Sequence, residues 1–136
     1  MGIDFGDAHT GIALSDPTGF MASQSSTINS HNPQYIAEQA VQIAKDNNCE
    51  EIVVGHPLNM NGTLGERAKK CEDFADLLRT LTDIKIVLWD ERLTSVDANR
   101  ILSDLGKKRK KQKQLVDAVA ASLILENYLS FRSRGL

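Results

Sequence analysis

Three segments of this chain carry acidic residues in settings suited to metal chemistry. Asp4 stands inside Gly2-Ile3-Asp4-Phe5-Gly6, Asp90 and Glu91 close the run Ile84-Lys85-Ile86-Val87-Leu88-Trp89, and Asp117 lies within the apolar stretch Leu115 to Leu129. A carboxylate among apolar neighbours is costly unless something pairs with it. Carboxylates drawn together from two strands and one helix offer the oxygen ligands that hard cations such as Mg²⁺ or Mn²⁺ require. That pattern predicts a metal-dependent hydrolase acting on phosphates. Two ions about 4 Å apart, bridged by Asp4 and flanked by Glu91 and Asp117, would activate water and neutralise the leaving oxygen.

Each acid has a blander reading beside the catalytic one. Alternation along a strand separates Asp4 from Ile3 and Phe5, so a merely structural Asp4 on a central strand needs a buried partner. Alternation also sends Asp90 and Glu91 to opposite faces. Glu91 is the favoured ligand and Asp90 the reserve, at a strand end where open α/β sheets hold their ligands. Arg92 beside them suits a bidentate contact to phosphate or to one of these acids; the alternative is a surface Asp-Glu-Arg salt bridge. Asp117, followed by Ala118-Val119-Ala120-Ala121, sits on a helix whose small residues permit close packing on a sheet. Its alternative reading is an acid favoured by a helix N-terminus.

Two further segments suit polyanions. The loop His56-Pro57-Leu58-Asn59-Met60-Asn61-Gly62-Thr63 offers the side-chain donors of Asn59, Asn61 and Thr63, and Gly62 lets backbone amides turn toward an anion. An Asn/Gly turn without a ligand is the alternative, and His56 serves equally as a loop hydrogen-bonder or a general base. Lys107, Lys108, Arg109, Lys110, Lys111 and Lys113 place six of the 16 basic residues within seven positions of a chain whose net charge is −2. That asymmetry predicts either a local grip on backbone phosphates or a solvated loop. Gly6 and Gly11 allow close backbone approach near Asp4.

Composition narrows the rest. A chain of 136 residues with 41% apolar and 25% charged content reads as one globular domain with a real core. No apolar run approaches the roughly 20 residues of a membrane span, and no signal peptide is visible. Cys49 and Cys71 form no CxxC pair and read as reduced thiols of a cytoplasmic protein. His9, His31 and His56 lack zinc-ligand spacing. Aromatic content of 5% argues against base stacking as the main mode of recognition.

The elements that must position these residues follow from periodicity. Residues Met1 to Leu14 read as a strand, a Gly-marked turn and a second strand. The first is short and starts abruptly, which leaves open a natural start upstream of Met1. Asp16-Pro17-Thr18-Gly19 is a turn cluster, and a third strand is expected within Phe20 to Ile28. A helix starts at Asn32-Pro33 and runs to about Asp46, with Ile36, Ala40, Ile43 and Ala44 at helical spacing. Glu51 to Gly55 is a buried strand. Glu66 to Leu81 is a helix with Ala68, Cys71, Phe74, Ala75 and Leu78 on one face. Ile84 to Trp89 is a strand, Ser95 to Leu105 a helix closed by Gly106, and Gln114 to Leu129 the final helix, with a frayed tail from Ser130. Hairpin strands followed by helical crossovers predict a mixed five-stranded α/β sheet, three antiparallel strands then two parallel ones, with helices on both faces.

Taken together, four ordered segments resemble the YqgF family, also called RuvX: Asp4-Phe5-Gly6 with Thr10-Gly11-Ile12-Ala13, Val54 to Gly62, Asp90 to Ser95, and Val116 to Ala121. The resemblance implies an RNase H-like fold akin to RuvC Holliday junction resolvases. It implies a nuclease that matures the 5′ end of pre-16S ribosomal RNA in the bacterial cytoplasm, with Asp4, Glu91 (or Asp90) and Asp117 as its acids. His9 departs from the basic residue the family often carries near that position.

Several functions stay in view. The leading one is an endonuclease on structured RNA, gripping backbone phosphate through Arg92, Asn59, Asn61 and the basic run. Resolution of four-way DNA junctions is the second, and its two symmetric cuts require a dimer; monomer and homodimer both stay open. A silent RNA-binding assembly factor is the third. An actin-like or sugar-kinase ATPase, suggested by Asp4-x-Gly6 and Thr10-Gly11, would need a second lobe.

Overall fold

The computed structural model describes residues 1–15, 22–58, 64–90 and the helical backbone 109–133. Their order is β1 (Gly2–Asp4), β2 (His9–Ser15), β3 (Ala22–Asn29), α1 (Pro33–Asp46), β4 (Glu51–His56), α2 (Glu66–Leu81), β5 (Lys85–Asp90) and α3 (Arg109–Ser133). The helix expected over Ser95 to Leu105 and the turn at Asp16 to Gly19 lie outside the described residues.

All five strands join one sheet in the order β3-β2-β1-β4-β5. The three hairpin-linked strands pair antiparallel, while β4 pairs parallel with both β1 and β5. Each parallel pairing needs a crossover, and α1 and α2 provide one each. The mixed α/β sheet read from the sequence is therefore the observed one, with β1 at its centre.

Side-chain alternation divides the core in two. Ile3, Ile12, Ile52, Val54 and Ile86 point to one face and pack against α1 and α2. The buried stripe of α2 is Ala68, Cys71, Phe74, Ala75 and Leu78, as its spacing predicted. In α1 it is Ile36, Ala37, Ala40, Val41 and Ala44, with Ile43 partly buried beside it. Asn32 caps α1, its Oδ1 accepting from the amides of Gln34 and Tyr35 at 3.0 and 3.4 Å, and Pro33 supplies a first turn that needs no amide.

The other face carries α3. Among its described side chains, Ala121, Ile124, Leu125, Tyr128 and Leu129 are buried, a spacing of three and four that makes an apolar stripe. Ala13 packs on Ala121, Leu125 and Leu129, and Val53 on Ile124 and Tyr128. Gly2 lets the helix sit directly on β1: a Cβ there would meet the Ala121 carbonyl oxygen at 2.8 Å.

One boundary differs from expectation. The final helix starts at Arg109, not Gln114, and continues to Ser133 rather than fraying after Leu129. Arg, Lys and Gln are good helix formers, and no Gly or Pro interrupts 109–133, so the helix extends through Arg109, Lys110, Lys111 and Lys113. Those residues are therefore not a loop.

Candidate active site

β1, β4 and β5 run parallel, so Asp4, His56 and Asp90 all end at the same edge of the sheet. Faces then separate them. Gly2 contacts α3 and Ile3 contacts the α1/α2 core, so alternation turns half-buried Asp4 toward α3. On β5, Val87 and Trp89 pack toward α3, while Ile86 and Leu88 pack toward α1 and α2. Asp90 follows the second set and lies on the face away from Asp4. Glu91, Arg92, Asn59, Asn61, Lys107 and Lys108 lie outside the described residues.

Asp4 stands between two glycines of the neighbouring strands. Its antiparallel partner on β2 is Gly11. On the parallel side Ile3 pairs with Val54, which sets Gly55 beside Asp4. Gly11 shares the face of Ala13, and Gly55 the face of Val53, both toward α3. The carboxylate therefore stands on the α3 face with no Cβ on either neighbouring strand.

The direction of α3 brings position 117 to Asp4. Tyr128 and Arg132 reach Glu51, the first residue of β4, at 3.0 and 2.8 Å, so the C-terminal part of the helix lies at the opposite edge of the sheet. Ala121 sits over Gly2. Four residues back along the helix is a rise of about 6 Å, and from Gly2 to Asp4 is about 6.6 Å along the strand. The backbone at Asp117 thus draws level with Asp4. Asp117 is also well inside α3, whose first turn holds no acid. The helix-terminus explanation for Asp117 does not apply.

The turn after Asp4 is tightly built. The Gly6 amide donates to Oγ1 of Thr10 at 3.3 Å, and Thr10 is itself fully buried in the sheet. A Cβ on Gly6 would meet the His9 carbonyl oxygen at 2.1 Å, so glycine is obligatory there. Nη2 of Arg67 donates to the Phe5 carbonyl oxygen at 2.9 Å, and Nζ of Lys70 pairs with Asp7 at 3.2 Å. The His9 imidazole is engaged elsewhere: its Nδ1 hydrogen-bonds Oδ1 of Asn29 at 2.7 Å.

His56 ends β4 on the α1/α2 face, with Nε2 3.8 Å from Oε2 of Glu72. That contact points it away from Asp4 and weakens it as a general base. A cavity of about 570 Å³ between the turn, α1 and α2 is lined by Phe5, Asp7, His31, Pro33, Lys70 and Phe74. It too opens on the side of the sheet opposite the Asp4 carboxylate. Among the described residues, no three His, Cys, Asp or Glu side chains stand close enough to hold a metal ion.

Sequence reading missed Arg67, Lys70 and the pairing of Gly11 and Gly55 around Asp4. The glycines were visible as residues, but their adjacency to Asp4 depends on strand register, which only the fold supplies.

A family model described as "RuvX: Holliday junction resolvase" matches residues 1–131. The chain belongs to the RuvX family. Relatives are similar along the whole length: a protein of Halothermothrix orenii is 41% identical over 98% of this chain and 96% of its own. One of Clostridium botulinum strain Hall is 42% identical over 98% of each. Both carry the name "Putative pre-16S rRNA nuclease". Among solved structures, Thermus thermophilus RuvC in complex with a Holliday junction substrate superposes with a TM-score of 0.59, at 14% identity, over 97% of this RuvX chain and 93% of the other. The RNase H-like fold expected from the resemblance is thus the fold of this RuvX-family protein. No helix among its described residues is long and apolar enough to cross a membrane.

Proposed function

We propose that this chain is a single-domain, cytoplasmic, metal-dependent nuclease that cleaves structured precursor RNA, with the 5′ end of pre-16S rRNA as its substrate. The observation that carries this reading is the placement of Asp4: a carboxylate between Gly11 and Gly55, at the edge where β1, β4 and β5 end, level with position 117 of the helix that covers it. The names of the full-length relatives support the substrate.

The donor chemistry suits Mg²⁺ or Mn²⁺. Asp4, Glu91 and Asp117 would hold the metal, all three being hard oxygen donors. Glu91 is preferred to Asp90 because Asp90 shares the face of Ile86 and Leu88, away from Asp4. When bound, a pair of such ions supplies a lowered pKa for the attacking water and positive charge for the leaving oxygen. The protein's own part is to fix the carboxylates and keep the gap clear. Gly11 and Gly55 leave room for the phosphate, and α3 closes the far side. Arg92, Asn59 and Asn61, with Lys107, Lys108, Arg109, Lys110 and Lys111, hold backbone phosphates and register the strand across the gap.

The deciding experiment incubates purified protein with pre-16S rRNA fragments and with four-way junction DNA, each with Mg²⁺, Mn²⁺ or chelator. Chelator-sensitive cleavage of the RNA is expected. Junction resolution is the second reading, favoured by the family description and by the RuvC likeness; paired symmetric cuts in the DNA by a homodimer would select it. RNA binding without cleavage under any metal would leave an assembly factor instead.

A further inference from the structure

We propose that Arg67 is a positioning residue for Asp4, acting through Phe5, the residue that follows it. β1 ends at Asp4, so the Phe5 carbonyl has left the strand ladder and needs a partner from elsewhere. Arg67, in the first turn of α2 and 62 residues away in sequence, supplies it at 2.9 Å. The same helix holds the Phe5 side chain, whose ring stacks on Phe74 with centroids 4.2 Å apart and planes 16° from parallel. One helix therefore grips the residue after Asp4 at both its ring and its carbonyl. Thr10 holds the other end of the same peptide, the Gly6 amide, at 3.3 Å.

These contacts differ in kind. Phe74 and Thr10 are buried, and changing them disturbs the core. Arg67 is exposed, and its reach to Phe5 is a charged donor on a backbone oxygen. Lys70 on Asp7 is a solvent-exposed ion pair that salt screens. Arg67 thus fixes the peptide between Phe5 and Gly6, one residue beyond Asp4, without carrying the core. If Phe5 shifts together with that peptide, the end of β1 shifts with it and the Asp4 carboxylate is displaced. Displacements of about 1 Å at a reacting centre cost roughly a hundredfold in rate.

This inference rests on the reading of Asp4 as a metal-holding acid of a nuclease. The test compares full-length wild type, Arg67→Ala, Arg67→Lys and Asp4→Asn by cleavage kinetics, by RNA binding across a salt series, and by calorimetric Mn²⁺ titration without RNA. For Arg67→Ala, kcat is expected to fall roughly 10- to 100-fold and Mn²⁺ affinity to weaken. KM, RNA affinity and the salt slope stay within about twofold of wild type. Arg67→Lys, whose ammonium still reaches a carbonyl, recovers part of both losses. Loss of RNA affinity with a shallower salt slope would overturn positioning and make Arg67 a phosphate contact. Unchanged kcat and Mn²⁺ affinity would overturn it outright while leaving the nuclease reading intact. A wild type that neither cleaves nor binds Mn²⁺ better than Asp4→Asn overturns the nuclease reading itself, and this inference with it.

Discussion

Gly2 and Ala121 meet backbone to backbone: a Cβ at Gly2 would stand 2.8 Å from the Ala121 carbonyl oxygen and 2.8 Å from Cβ of Leu125. The contact decides how low α3 rides on the central strand, and with it where Asp117 comes relative to Asp4. A carbonyl oxygen in a helix cannot swing aside as a side chain can, so Gly2→Ala must lift the helix. Overpacking of this kind costs about 1–3 kcal/mol. Chemical denaturation should show that loss, and the cleavage rate of the folded fraction should drop as well. Wild-type activity in a destabilised Gly2→Ala would mean that the height of α3 does not matter to the site.

Asp4→Asn tests the acid with the least change in shape. Asparagine keeps the volume and one acceptor but removes the charge that a divalent cation needs. Cleavage should be abolished, while the melting temperature and RNA affinity stay close to wild type. Cleavage at the wild-type rate would remove Asp4 from the metal site.

Gly11→Val places a branched side chain on β2 directly opposite Asp4. Valine suits a strand, so the fold should tolerate it better than the chemistry does. The expected result is a fall in kcat on the order of a hundredfold, with RNA affinity nearly retained. Equal losses of affinity and rate would show that the gap serves binding rather than reaction.

The sheet and two of its helices were legible because their cues are local. The β-branched run Ile52-Val53-Val54, the Asn32-Pro33 helix start and the Ala68 to Leu78 stripe each specify an element without help from the rest of the chain. The start of α3 was misplaced because six basic residues in a row of seven look like solvent-exposed loop, although Lys and Arg favour helix. At the site, Asp4 was visible as an acid among apolar neighbours. The glycines on either side of it were not, because Gly11 and Gly55 become its neighbours only through register. Arg67 carried no signal at all: an arginine on an amphipathic helix looks like any solvated cation until the fold sets it against the Phe5 carbonyl.

The basic run now has a helical frame from Arg109 onward. Replacing Lys107, Lys108, Arg109, Lys110 and Lys111 with glutamine should weaken RNA binding and flatten its dependence on salt, since each phosphate that a cation neutralises accounts for about one unit of slope. Helix content should hold, because glutamine is also a good helix former. An unchanged slope would make these residues solvated surface only.

At the other end of α3, Glu51 makes stability depend on pH in both directions. Burial on its own would raise the Glu51 pKa, but the Tyr128 hydroxyl, Arg132 and Lys85 outweigh burial and hold it below the ordinary glutamate value. Burial raises the Tyr128 pKa, and its hydrogen bond to the Glu51 carboxylate raises it further. A depressed acid contributes stability that is present above its unfolded pKa, about 4.3, and is lost as pH falls through the lower folded value. A raised tyrosine contributes stability that is present below its unfolded pKa, about 10, and is lost as pH climbs through the higher folded value. Glu51→Gln should therefore flatten the acid limb of a plot of melting temperature against pH, and Tyr128→Phe the alkaline limb. Because Tyr128 and Arg132 anchor α3 at this edge, both variants should also slow cleavage at neutral pH, less than Asp4→Asn does. Acid and alkaline limbs that match wild type in both variants would show that the Glu51 contacts do not hold the helix down.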